Sequence, residues 1–148
     1  MSGTVYRWSV TVATKDGGSA MSTDDSFFSM GLLTQSDWTG TFIGYPNATK
    51  TLPNGTSLMP CPWFRKSFAL PSNALGSYGL VYVASVGYHE LFVNGQRVSE
   101  HVLVPSTSYL PKRALYRTYN VTSLLNPGEK NAIGIWAAPG WSAYVKIK

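Results

Sequence analysis

The chain has 148 residues, 44% apolar and 14% aromatic, with twelve Lys and Arg against seven Asp and Glu for a net charge of +5. That length accommodates one domain, or one domain with a fragment, and enough apolar content for a real core; it cannot hold a multidomain enzyme. Aromatic and β-branched residues abound, helix-length amphipathic runs are missing, and Gly, Pro, Asn and Ser recur between short apolar segments. Together these predict an all-β fold, a jelly-roll-like antiparallel β-sandwich.

The N-terminal "MSGTVYRWSV" lacks the charged and apolar regions of a signal peptide, and no segment has the length to cross a membrane, so no membrane partner is expected. In chain order, strands are predicted near 5–13, 41–45, 62–69, 79–85, 88–93, 96–99, 115–121, 131–137 and 142–147, with helical turns only at 34–38 and 122–125. There is no internal repeat or low-complexity tract. Strand-like sequence begins at Val5 and the chain stops in the strand-like "SAYVKIK", as an excised piece would, which predicts an exposed strand edge.

The strongest local signal is "GYHELFVNG" at 87–95. Tyr88, Glu90 and Phe92 alternate with His89, Leu91 and Val93, and Asn94-Gly95 then supplies the two positive-φ residues of a type I′ turn. A β-hairpin follows. Cys61 is the single cysteine, so no intrachain disulfide forms, and its neighbours suggest burial. Asn-x-Ser/Thr sequons stand at Asn47, Asn54 and Asn120; with so much Ser and Thr, chance accounts for one or two.

Aromatics interleaved with cations would suit a single-stranded nucleic acid. Here the cations are scattered, adjacent only at Arg65-Lys66 and Lys112-Arg113, and no nucleic-acid motif is present, so no nucleic-acid partner is expected. An acidic polysaccharide rich in uronic acid is an equally good electrostatic partner.

Catalytic groups are few: seven carboxylates (Asp16, Asp24, Asp25, Asp37, Glu90, Glu100, Glu129) and the histidines His89 and His101. Glycoside hydrolysis needs two carboxyls facing one bond. Asp24 and Asp25 are adjacent and point apart in an extended chain, and Glu90 reads more simply as a cross-strand partner of Arg97 than as a sugar-hydroxyl acceptor. The two histidines lack a third ligand at metal spacing, and no nucleophile motif appears. No catalytic residue is assigned.

Several blocks recur in a fixed order: "SFFSMGLLTQSDWTGTFIG" at 26–44, "PWFRKSF" at 62–68, the aromatic strand with its Asn-Gly turn at 87–95, "HVLVP" at 101–105, "RALYRTYNVT" at 113–122 and "NAIGIWAAPGW" at 131–141. The ordered set resembles the N-terminal, non-catalytic domain of α-L-rhamnosidases, with Asn120 where that family usually has Asp. The resemblance implies a domain over 26–148 that continues past the chain's end, and a preceding β module's tail over 1–25. It implies a parent glycoside hydrolase, secreted or extracellular, whose catalytic carboxylates lie in a separate helical barrel, so that this chain alone is inactive. It further implies recognition of rhamnose-containing polysaccharides or glycosides, with the catalytic domain of the same parent as partner. A purely structural module packed on that barrel is the alternative, marked by an exposed apolar patch without an aromatic-lined pocket.

Sugar binding calls for flat aromatic faces ringed by hydrogen-bonding groups. Most tryptophans of a small sandwich belong to the core, but loop position favours Trp141 after Pro139-Gly140, Tyr109 in the 105–111 loop, and Tyr88-His89 at the hairpin's opening. Arg113 and Asn131 are candidate hydroxyl partners, although Arg113 could instead brace the hairpin against Glu100. Some relatives of this domain type bind rhamnose through calcium, so the resemblance leaves calcium as a possible cofactor; calcium wants several oxygen ligands, no carboxylate cluster here matches that pattern, and no metal ligand is assigned.

Overall fold

The computed structural model describes residues 1–22, 26–46, 50–55, 57–74 and 78–141. The chain divides into two compact units, Met1–Phe42 and Ile43–Lys148.

In the first unit the strand expected over 5–13 is two strands, β1 (Val5–Trp8) and β2 (Thr11–Ala13), because its halves find different partners. β2 turns back on β3 (Ser19–Met21) through Thr14–Gly18, where the Thr14 N–H donates to the Gly18 carbonyl at 2.8 Å. β1 pairs with β4 (Ser26–Ser29), from Val5 opposite Ser29 to Trp8 opposite Ser26, and so joins residues on both sides of the boundary expected at 25/26. The helical turn expected at 34–38 forms as a 3-10 turn at Gln35–Asp37. Asp37 folds back over it: Oδ2 accepts from the Ser2 hydroxyl at 2.5 Å and from the Leu33 and Thr34 N–H groups at 3.1 and 2.8 Å. These bonds, the Ser2 hydroxyl foremost, hold the Asp37 carboxyl down at about 2. The strand expected at 41–45 does not form. That segment carries no regular element, and Phe42 and Ile43 are 72% and 67% exposed, since strand propensity without a partner or a surface to cover does not order a strand.

The second unit contains β5 (Lys50–Thr51), β6 (Ser57–Leu58), β7 (Trp63–Ala69), β8 (Leu80–Ala84), β9 (Tyr88–Val93), β10 (Gln96–Arg97), β11 (Tyr116–Asn120) and β12 (Lys130–Ala138). β7, β8, β9, β11 and β12 match expected strands within the usual boundary error, β10 is shorter than expected, and the strand expected at 142–147 lies outside the described residues. A four-stranded antiparallel sheet has the order β10-β9-β12-β7, and β11 pairs with β8 in a second sheet. The chain changes sheet at nearly every step from β7 to β12, the connectivity of a jelly-roll-like β-sandwich rather than of a meander.

Alternation places the core. On β9 every second residue, His89, Leu91 and Val93, is buried, and these meet Val83 of β8 and Tyr119 and Val121 at and after β11. Val81, Ile133, Ile135, Val98, Leu124 and Leu125 close around this cluster. The hairpin turn is as the sequence demands, with φ of +50° at Asn94 and +81° at Gly95. Asn120 Oδ1 accepts from the Thr122 N–H at 3.1 Å and the Thr122 hydroxyl at 2.6 Å, starting the expected 3-10 turn at Thr122–Leu124.

Two expectations of burial fail. Cys61 is exposed, because the Pro60–Pro62 segment runs ahead of β7 outside the core. Trp63 and Trp136 are 58% and 40% exposed, because strand register directs them away from the core, and Trp8 on β1 is 50% exposed.

Candidate functional site

Six residues were singled out by sequence, and the fold separates them into two groups. His89 and Asn131 face inward. His89 is 2% exposed, with Nδ1 2.9 Å from Ser85 Oγ and Nε2 3.0 Å from the Tyr119 hydroxyl. The Ser85 hydroxyl already donates to the Gly87 carbonyl at 3.0 Å, so it accepts from Nδ1–H, and the Tyr119 hydroxyl donates to Nε2. Burial first, and the Arg117 charge second, push the His89 pKa below its ordinary value, which keeps the ring neutral and this tautomer in place.

Asn131 is 1% exposed. Its Nδ2 donates to the carbonyls of Asn126 and Glu129 at 2.9 and 3.1 Å, and its Oδ1 accepts from Asn94 Nδ2 and the Asn126 N–H, both at 2.8 Å. All four hydrogen-bonding sites of the amide are filled from within the chain. Both residues leave the set of sugar-contacting candidates, because a buried polar group persists only when its bonds are satisfied, and satisfied bonds cannot also serve a ligand.

The other four, Tyr88, Tyr109, Arg113 and Trp141, belong to one end of the sandwich. There β8 ends at Ala84 and β11 begins at Tyr116 opposite it, while β9 begins at Tyr88 opposite Ala138, where β12 ends. His89 bridges Val104, which anchors the loop running to Tyr116. In that loop the N–H groups of Lys112 and Arg113 donate to the Tyr109 carbonyl at 2.9 and 3.0 Å, and the Ser108 hydroxyl donates to the Arg113 carbonyl at 3.1 Å. Tyr109 and Trp141 are 64% and 65% exposed. Gly87 and Gly140 meet backbone to backbone: a Cβ on Gly140 would lie 2.8 Å from the Gly87 Cα, and one on Gly87 2.5 Å from the Ala138 carbonyl. Glycine at both positions is what sets Trp141 beside the opening of the hairpin.

The carboxylates do not assemble a catalytic pair. Glu90 Oε1 is 2.6 Å from Arg97 Nη2, the cross-strand pairing the sequence suggested, and Glu100, 3.5 Å from Arg97 Nη1, extends the same network. Glu100 therefore pairs with Arg97, where a brace to Arg113 was the expected alternative. Among the described residues no three His, Cys, Asp or Glu side chains group closely enough to share a metal ion, so these side chains offer no calcium cage. No helix among them is long and apolar enough to cross a membrane.

A second surface is not apparent from the sequence. On the outer face of the four-stranded sheet Trp63 stacks on its cross-strand partner Trp136, with ring centroids 5.3 Å apart and planes within 6°. The Trp136 indole N–H donates to the Cys61 carbonyl at 3.2 Å. Phe92 and Arg65 stand opposite Gly134 in register, and since Gly134 has no side chain, Trp63 reaches over β12 to Phe92, centroids 5.0 Å apart. Only the alternation of 62–69 combined with its register on 131–137 could have revealed this cluster.

Comparison with known proteins accounts for the ordered blocks. Residues 77–147 match the family described as the alpha-L-rhamnosidase N-terminal domain. An α-L-rhamnosidase of Formosa agariphila is 33% identical over 93% of this chain. The solved α-L-rhamnosidase structures from Dictyoglumus thermophilum and Aspergillus terreus align over 94% and 95% of the chain, with TM-scores of 0.74 and 0.66 and identities of 28% and 31%. The chain spans 16% of the length of each of these three proteins. Residues 77–147 thus match the family of α-L-rhamnosidase N-terminal domains, and the ordered motifs, the β-sandwich and these similarities support the same assignment for the chain.

Proposed function

We propose that this domain recognises rhamnose-containing glycans for a glycoside hydrolase domain of the same parent protein, an α-L-rhamnosidase, and has no hydrolytic activity of its own. The observation that carries the reading is Trp141, an exposed indole set at the loop end by the Gly87–Gly140 contact, with Tyr109 and Arg113 in a neighbouring loop. An exposed aromatic face takes the apolar side of a pyranose, and a guanidinium donates to its hydroxyls. The engagement of Glu90 and Glu100 by Arg97 supports assigning hydrolysis to another domain.

Calorimetric titration with L-rhamnose and a rhamnose-containing polysaccharide, with calcium and with a chelator, tests this. Saturable binding that Trp141→Ala or Tyr109→Ala weakens, at unchanged melting temperature, is the expected result. Silence from folded protein would overturn it in favour of a structural module packed on the catalytic domain.

A further inference from the structure

The outer face of the β10-β9-β12-β7 sheet has aromatic rings at one end and cations at the other. Trp63, Arg65 and Ser67 alternate along one side of β7, opposite Trp136, Gly134 and Ala132. Successive same-face residues are about 7 Å apart, so Arg65 stands one such step from the indole stack and Ser67 two. Beyond the stack lies an open cleft of about 570 Å³ lined by Arg65, Ser67, Asn94, Gly95, Asn126 and Lys130 among others. The Asn94 amide is engaged by Leu124, Asn131 and Ala132, which leaves Arg65 and Lys130 as the cleft's charged groups. Both are exposed, and neither has a carboxylate within ion-pair distance among the described residues.

We propose that this face binds an acidic glycan, a pyranose ring lying on the Trp63–Trp136 stack and the carboxylate of a uronic acid residue held by Arg65 and Lys130 in the adjoining cleft. A carboxylate matches a guanidinium fork in plane and spacing, and a second cation beside it adds attraction without further geometry. The platform is pre-organised: Trp63, 58% exposed, and Trp136, 40% exposed, hold each other parallel, and the indole bond to Cys61 fixes Trp136, so little rotamer freedom is lost on binding. A neutral sugar would leave both cations unanswered. A nucleic acid strand fits less well, because the cations are two and gathered in the cleft at one end of the stack, which suits a single carboxylate better than the run of phosphates that a strand carries past its stacked bases. This surface lies on the outer face of the sheet, its indole stack one same-face step from Tyr88 and Ala138 at the loop end and its cations further along the strands, and it does not rest on rhamnose recognition.

The test is titration of the 148-residue chain with an oligogalacturonate, its methyl ester, a single-stranded oligonucleotide and L-rhamnose, at low and high salt. The acid should bind about tenfold more tightly than the ester at low salt, with the margin shrinking as salt screens it. Arg65→Gln with Lys130→Gln should abolish that margin at unchanged melting temperature, while Trp141→Ala leaves it intact. Equal binding of acid and ester, or an undiminished margin in the double variant, would overturn the proposal. Tighter binding of the oligonucleotide would replace the glycan with a nucleic acid. Rhamnose binding without galacturonate binding sinks this proposal alone, and the converse result sinks only the rhamnose reading.

Discussion

His89 Nε2 on β9 lies 3.0 Å from the Tyr119 hydroxyl on β11, a buried hydrogen bond that ties one sheet of the sandwich to the other through its core. The rings meet edge to face, centroids 5.9 Å apart at 70°, so the pair packs as well as bonds. Burial that depresses the His89 pKa raises that of Tyr119, which keeps the hydroxyl a donor.

This arrangement has a pH signature. The folded His89 pKa lies below 6.5, so as pH falls past 6.5 the unfolded chain takes up a proton before the folded one does. Stability should be flat with respect to this group above about pH 7 and decline as pH falls below the ordinary histidine value of 6.5. Urea denaturation at a series of pH values should show that decline in the native protein and a shallower one in His89→Gln. Parallel slopes would mean that His89 titrates alike in both states.

Asn131 holds the base of the hairpin. Asn131→Ala would remove the acceptor of the Asn126 N–H and of the Asn94 amide, while the Asn126 and Glu129 carbonyls keep the Glu129 and Leu70 N–H groups, and should cost about 1–3 kcal/mol in chemical denaturation. Asn131→Asp keeps the shape but sets a carboxylate oxygen against the Asn126 and Glu129 carbonyls. It should therefore be no better tolerated at neutral pH, and wild-type stability in the Asp variant would mean that the Asn131 Nδ2 does not face those carbonyls.

At Gly95 the backbone has φ of +81° and a Cβ would meet nothing within 4 Å, so any penalty there is conformational rather than steric crowding. Gly95→Val should destabilise by about 1 kcal/mol or more, and Gly95→Asn by less, because Asn tolerates this region better. Equal melting temperatures for the two variants would remove the turn's demand for positive φ.

Asp37 supplies an acid-side test of the first unit. Its carboxyl is held at about 2 against an ordinary 3.8, so the stabilisation it provides is complete above about pH 4 and fades as pH falls through 3.8 toward 2. An NMR titration of its side-chain carbon should give a midpoint near 2 in native protein. Ser2→Ala, which deletes the leading donor, should raise that midpoint, and a midpoint indifferent to Ser2 would show that the hydroxyl plays no part.

Much of the fold is legible locally. Alternation over 88–93 with Asn94-Gly95 behind it announces a hairpin, because period and positive φ are properties of the chain itself. The Asp16-Gly17-Gly18 turn of the β2–β3 hairpin is equally visible, but residues 19–21 carry too little strand propensity of their own to announce the returning strand. At 41–45 the mismatch runs the other way: suitable residues find no partner.

The candidate sites are only half legible. A polar residue in a strand reads alike whether it faces solvent or a buried partner, and the partners of His89 and Asn131 include Ser85, Tyr119, Asn94 and Asn126, some of them tens of residues away. Trp63 and Trp136 are separated by more than seventy residues, and register alone brings their rings into contact.

The sequence by itself determined the β class, the hairpin at Asn94-Gly95, the order of motifs that marks the family, and the Glu90–Arg97 pairing across a short turn. Each depends on period, backbone conformation or near neighbours. Tertiary structure decided which of the singled-out residues remain exposed, turned His89 and Asn131 into internal struts, and assembled the indole stack beside Arg65. Burial and side-chain contact are set by the pairing of distant strands, and a shift of one residue in that pairing would exchange the inner face for the outer.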